Sequence, residues 1–187
     1  MNPYDFTHLS LLALGGTVRG RTKLQKTIYF LGLLTGNLED LGYRPHYYGP
    51  YSDSVADAVN RMKSLGFVQE AALGTGALSA SGFEIARHDF ALTNEGRRVA
   101  RNKANQNPPA WTKIESAVEL FSAAGDLDYM EMSVAAKTIY MLSKKEKPAT
   151  PLELSESAKA LGWNPSPAEI TRSIGFLEKL DLVETQN

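Results

Sequence analysis

The chain has 187 residues, 43% of them hydrophobic, a length that predicts one domain or two small ones with a buried core. It contains no cysteine, which excludes disulfides, thiolate catalysis and cysteine-based zinc sites. The net charge of −1 does not support a strongly basic nucleic-acid coat, but residues 1–103 hold 12 Lys and Arg against 9 Asp and Glu, which places any polyanion-binding surface there.

The N-terminal segment predicts two helices. Apolar residues at helical spacing indicate a first helix from about Tyr4 to Leu14. Its apolar stretch is too short to cross a bilayer, so we expect a cytoplasmic protein with no membrane association. Thr22 and Gln25 have the spacing of a capping box, which predicts a second helix that ends at Gly36.

Residues 42–51 are rich in tyrosine and contain two prolines, which prevent a helix. Tyrosines that alternate in an extended segment usually pack into a core. We expect this of Tyr43 and Tyr47, and we keep Tyr48 and Tyr51 as candidate partner-binding residues.

A third helix and a hairpin follow. Ser52 or Ser54 caps a helix whose apolar face runs to Leu65, and Phe67-Val68 begins a strand. Residues 74–82 are rich in glycine and predict the hairpin tip, while residues 89–93 form the return strand. Asn94 then begins a further helix.

The second half predicts more helices after a linker at residues 105–109. Amphipathic segments indicate helices over 111–124 and 133–142. Thr150 and Ser166 each begin a capping box with proline at the first helical position. A shift of 115 residues superimposes the apolar pattern of residues 55–68 on that of residues 170–183. Structural duplication and the chance similarity of two amphipathic helices both explain this match.

Three motifs occur in order: Lys-Leu-Gln-Lys at 23–26, Tyr-Gly-Pro-Tyr-Ser at 48–52 and Leu-Thr-Asn-Glu-Gly at 92–96. With them, the chain resembles the prokaryotic winged-helix proteins related to the Panacea-domain antitoxins over about residues 20–100. The resemblance implies a winged-helix fold. Together with the order of elements, it predicts a mainly α protein with a small β wing. A winged helix-turn-helix domain at 1–104 would precede a second helix-turn-helix-like domain at 110–187.

A basic turn is the main candidate site. Free N–H groups and the dipole at a helix N-terminus favour phosphate, although a solvated basic turn is the alternative. In the third helix, Asn60 and Arg61 suit base edges, whereas Asp53 and Asp57 would repel phosphate. Basic residues after the hairpin are either phosphate contacts or a solvated face. The candidate nucleic-acid-binding residues are Arg19, Arg21, Lys23, Lys26, Asn60, Arg61, Arg97 and Arg98.

Catalytic motifs are weak. The histidines at 8, 46 and 88 follow no metal spacing, and Gly74–Gly76 lacks the Gly-Lys-Ser/Thr ending of a phosphate loop. We therefore expect no enzyme activity, no metal and no cofactor. The sequence favours a DNA-binding transcriptional regulator that binds double-stranded DNA as a homodimer. The alternative is a protein-binding module, either an antitoxin-like partner of a toxin or an accessory subunit of a larger complex.

Overall fold

The computed structural model describes residues 1–78, 84–145 and 147–185. The described part is mainly helical and contains one small antiparallel sheet. Its elements in chain order are α1 Pro3–Ala13, β1 Thr17–Arg19, α2 Arg21–Thr35, α3 Leu38–Leu41, α4 Asp53–Ser64, β2 Val68–Leu78, β3 Glu84–Leu92, α5 Asn94–Gln106, α6 Pro108–Ala124, α7 Tyr129–Leu142, α8 Pro151–Lys159 and α9 Pro167–Lys179.

The sheet has the order β1-β3-β2, and both pairings are antiparallel. Val68 pairs with Leu92 and Val18 with Phe90 at the buried base of the hairpin. The hairpin strands are longer than predicted, because residues 74–76 continue β2 instead of forming the tip. Residues 77–78 also belong to β2, and residues 79–82 of the predicted tip lie outside the described part.

Helix starts follow side-chain capping in most predicted places. The Ser52 hydroxyl accepts from the Val55 N–H at 3.0 Å, and full capping boxes begin α8 at Thr150 and α9 at Ser166. The prediction of a box at Thr22 is wrong. Gly20 is the N-cap of α2 and has no side chain to accept a hydrogen bond, and the Gln25 side chain bonds to the Ser52 backbone instead of to the helix start.

The glycine of the Leu-Thr-Asn-Glu-Gly motif allows a close approach of α5 to the hairpin. The Gly96 N–H donates to the Thr93 hydroxyl at 3.0 Å, and the Thr93 hydroxyl donates to the Gly66 carbonyl at 2.8 Å. A Cβ on Gly96 would collide with the Phe67 carbonyl oxygen. The motif therefore fixes the first turn of α5 against the start of β2.

One apolar cluster extends through both predicted domains. Phe30 of α2, Phe121 of α6 and Phe176 of α9 lie with ring centroids 5.5 to 5.9 Å apart. A smaller cluster forms around Trp163. Between α5 and α6, where the sequence predicts a linker, only Asn107 lies outside the helices.

Residues 180–185 follow α9 without forming a strand. Among the described residues, no helix combines the length and apolar character that a bilayer crossing requires.

Candidate nucleic-acid interface

Two of the sequence motifs contact each other directly. The Gln25 amide donates to the Ser52 carbonyl at 2.9 Å, and the Ser52 N–H donates back to Gln25 Oε1 at 3.1 Å. One residue further along α2, Lys26 Nζ donates to the Pro50 carbonyl at 2.6 Å. The Lys-Leu-Gln-Lys helix start therefore holds the Gly-Pro-Tyr-Ser segment in place.

Lys26 lies inside the protein, with only 2% of its surface exposed. Burial lowers the pKa of its ammonium group to about 7, and the positive charge of Lys137 contributes to the same direction. In this position the Lys26 side chain donates its hydrogen bond to the protein's own backbone. Lys26 is thus not part of the surface that a phosphate can reach in this structure.

The segment from Arg44 to Tyr51, which we call the aromatic loop, also contacts the second half of the chain. The Ser133 hydroxyl of α7 donates to the Tyr48 carbonyl at 2.6 Å, and Trp163 Nε1 donates to the His46 carbonyl at 2.6 Å. Gly49 has φ +94°, and a Cβ there would lie 3.1 Å from Lys137 Cγ. Backbone groups of the aromatic loop therefore join the two halves.

Tyr43, which precedes the aromatic loop, and the three tyrosines within the loop have different environments. Tyr43 packs against the core and donates its hydroxyl to the Gln25 carbonyl at 2.7 Å, as expected of a core tyrosine. The corresponding prediction for Tyr47 is wrong, since 72% of its surface is exposed. A turn closed by the Gly49 N–H and the His46 carbonyl replaces the expected extended segment and directs Tyr47 outward. Tyr48 is 45% exposed, and the half-buried Tyr51 packs on the His46 ring.

The basic turn lies between β1 and α2. Arg19 is exposed at the end of β1, and Arg21 is the first residue of α2. Arg21 Nη2 lies 2.7 Å from Glu70 Oε1, while 63% of the Arg21 side chain stays exposed. Lys23 Nζ lies 2.5 Å from Asp126 Oδ1. Two of the three surface cations predicted here thus have carboxylate partners.

Glu70 of β2 contacts side chains from three other elements, two of which are cations. Its carboxylate bonds Arg21 of α2 and Lys63 of α4, and Nδ1 of His88 on β3 lies 2.8 Å from it. The hydrogen bond from Lys63, followed by that from Arg21, lowers the pKa of Glu70 to about 2. We call these four residues the Glu70 cluster. It connects the hairpin to the N-terminus of α2 and the last turn of α4.

The exposed face of α4 carries the predicted base-contacting residues. Asn60 and Arg61 are exposed, and the Arg61 guanidinium carbon lies 5.1 Å above the Tyr4 ring. On the same helix, Asp53 pairs with Arg44 at 2.6 Å and Asp57 is exposed. Tyr4 thus packs against the Arg61 cation, and Arg44 pairs with the Asp53 carboxylate.

The predicted basic residues of α5 bond to a backbone carbonyl and to a carboxylate of the same chain. Arg97 Nη2 donates to the Gly15 carbonyl at 2.9 Å, and Arg98 pairs with Glu95 at 2.5 Å. Neither Arg97 nor Arg98 lines the cleft described next.

A cleft of about 250 Å³ lies between α2, α4 and the hairpin. Arg21, Gln25, Asn60 and Glu70 contribute polar surface to its lining, and Leu24, Val59 and Phe90 contribute apolar surface. The cleft brings Arg21 and Asn60, two of the predicted site residues, to one surface. Sequence reasoning missed Lys63, Glu70 and His88, because no spacing along the chain relates a helix end to residues on two strands.

The sequence matches no protein-family model and no curated protein. Within the described ranges, no three His, Asp or Glu side chains are close enough together to hold a metal ion.

Proposed function

We propose that this chain is a non-enzymatic transcriptional regulator that binds double-stranded DNA through a winged helix-turn-helix formed by residues 1–104. The order of elements supports this fold. Helix, strand and two further long helices precede a hairpin whose returning strand pairs with β1. In such a fold α4 is the recognition helix, and the β2–β3 hairpin is the wing.

The observation that carries the proposal is the convergence of three elements on one cleft. The N-terminus of α2, the exposed side of α4 and the base of the hairpin line the same cavity through Arg21, Asn60 and Glu70. A helix N-terminus with an exposed arginine suits phosphate, and the Asn60 amide on the neighbouring helix suits base edges.

The roles divide by position. Arg19 and Arg21 contact backbone phosphates at the start of α2, and Asn60 and Arg61 contact bases from α4. Lys23 joins the phosphate contacts by leaving Asp126, since an exposed ion pair is worth only about 1 kcal/mol or less. We assign Lys26 no DNA contact, because it is buried.

Salt-dependent duplex binding tests this function. Released counterions make the affinity for duplex fall steeply as salt rises from about 50 to about 200 mM. Arg21→Glu should weaken duplex binding at least tenfold, which corresponds to about 1.4 kcal/mol or more, because it reverses a charge at a phosphate contact. Lys113→Glu on α6 is the control with the same charge change at another exposed position, and should have little effect.

Two results contradict the proposal. One is an affinity weaker than about 1 mM for any duplex at about 50 mM salt. The other is an Arg21→Glu variant that binds as well as the wild type.

A homodimer in sedimentation experiments would fit paired half-sites, each contacted by one α4.

A protein-binding module is the second candidate, and the exposed rings of the aromatic loop favour it. Tyr47 and Tyr48 lie with centroids 4.8 Å apart on a backbone that Trp163 and Ser133 hold in place. Exposed aromatic side chains on a fixed backbone are typical anchors of protein interfaces. If the chain is antitoxin-like, co-expression should relieve the toxicity of a neighbouring gene product, and Tyr47→Ser should remove this relief.

A further inference from the structure

The Glu70 cluster has the chemistry of an anion site that the chain itself fills. Arg21 bonds one oxygen of the carboxylate, which also lies 2.8 Å from His88 Nδ1, and Lys63 bonds the other oxygen. Guanidinium and ammonium groups bond phosphate oxygens with the same geometry and similar strength as carboxylate oxygens. A backbone phosphate can therefore replace the carboxylate as the acceptor.

The exposure of the four side chains sets the direction from which a replacing anion arrives. Glu70 is 13% exposed, whereas Arg21 is 63% and Lys63 33% exposed. The carboxylate thus lies beneath its cationic partners, and their outer sides face solvent. An anion arriving from solvent therefore meets the more exposed Arg21 and Lys63 side chains before it meets the Glu70 carboxylate.

We propose that Glu70 is an internal competitor for DNA phosphates: it holds Arg21 and Lys63 in the free protein and yields them to the backbone of a bound duplex. The inference rests on the proposed function and adds Lys63 to the phosphate-contacting residues. Because Glu70 stays ionised down to about pH 2, a change of pH in the neutral range does not release the cations. Exchange for another anion is the route that remains, and it makes duplex affinity depend on this carboxylate.

Glu70→Gln tests the competition. The amide keeps the shape of the side chain but loses the charge, so Arg21 and Lys63 become free for phosphate. We expect duplex affinity to rise about tenfold, while the slope of log K against log salt stays close to that of the wild type, because the same two cations contact phosphate in both complexes. Glu115→Gln, which removes one exposed carboxylate from α6, is the matched control for net charge and should change affinity by less than about twofold. In a Lys63→Gln background, the gain from Glu70→Gln should shrink.

The wild-type chain provides a second measurement that needs no variant. We expect the ¹⁵Nζ signal of Lys63 and the carboxyl ¹³C signal of Glu70 to shift together as duplex is added, since both groups change partners. This measurement decides the matter if Glu70→Gln proves unfolded in a thermal melt.

The outcomes separate this inference from the function on which it rests. If wild type and Glu70→Gln both fail to bind duplex at low salt, the proposed function is wrong. If the wild type binds but Glu70→Gln binds equally well or more weakly, or if the Lys63 and Glu70 signals stay unchanged on binding, DNA binding stands and the competition is refuted.

Discussion

Lys26 should give the stability of the protein a specific dependence on pH. Its folded-state pKa of about 7 lies below the ordinary lysine value of 10.5 because of burial and the nearby charge of Lys137. Between these two pH values, the unfolded chain holds a proton that the folded chain has lost. Raising the pH therefore stabilises the folded state, and below about pH 7 this dependence disappears because both states are protonated.

The size of the effect follows from the two pKa values. A difference of one pKa unit corresponds to about 1.4 kcal/mol, so the free energy of unfolding should rise by up to about 3 kcal/mol between about pH 7 and about pH 9.5. Lys26→Met has no titrating group at this place and lacks this rise. Measurements stay below pH 10. Above this pH the unfolded chain loses tyrosine protons that Tyr29 and Tyr43 keep in the folded state, and this difference lowers stability.

Urea unfolding followed by circular dichroism at several pH values measures the difference between wild type and Lys26→Met. Lys113→Met, an exposed lysine of α6, is the control and should follow the wild type. Parallel pH profiles of wild type and Lys26→Met would refute the account of a buried, largely deprotonated amine at neutral to basic pH.

Two further pairs of variants test the capping and packing that hold the fold. Ser52→Ala removes a helix cap and a buried donor and should lower the free energy of unfolding by about 2 kcal/mol, whereas the exposed Ser54→Ala should change it by less than about 0.5 kcal/mol. Urea unfolding with equal losses for both would contradict this. Gly96→Ala meets the Phe67 carbonyl and should cost about 3 kcal/mol or more in thermal unfolding, while Gly175→Ala on an open helix surface should stabilise the chain by about 0.5 to 1 kcal/mol. A Gly96→Ala variant as stable as the wild type would show that the close approach is absent.

Local sequence signals predicted most of the helices. Capping boxes at Thr150 and Ser166 and the cap at Ser52 depend on residues three positions apart, so the sequence contains all the information they need. The Thr22 box has the same spacing and is wrong. Gln25 gains two hydrogen bonds to the backbone of Ser52, and this tertiary contact replaces the local one.

The candidate site was harder to predict because its contacts are distant along the chain. Arg21 and Glu70 are 49 residues apart, and no periodic pattern relates an arginine at a helix start to a carboxylate on a strand. Lys26 is predicted to be a surface cation because it lies at a basic helix start. It is buried instead, because the distant Pro50 carbonyl packs on it and accepts a hydrogen bond from its Nζ.

Chemical-shift mapping of the isotope-labelled chain with duplex DNA tests the proposed function most directly. We predict that the largest backbone amide shifts occur at Arg21, along the exposed side of α4 around Asn60 and Arg61, and in the hairpin. Shifts confined to Tyr47 and Tyr48, or no shifts at low salt, would contradict DNA binding through this cleft.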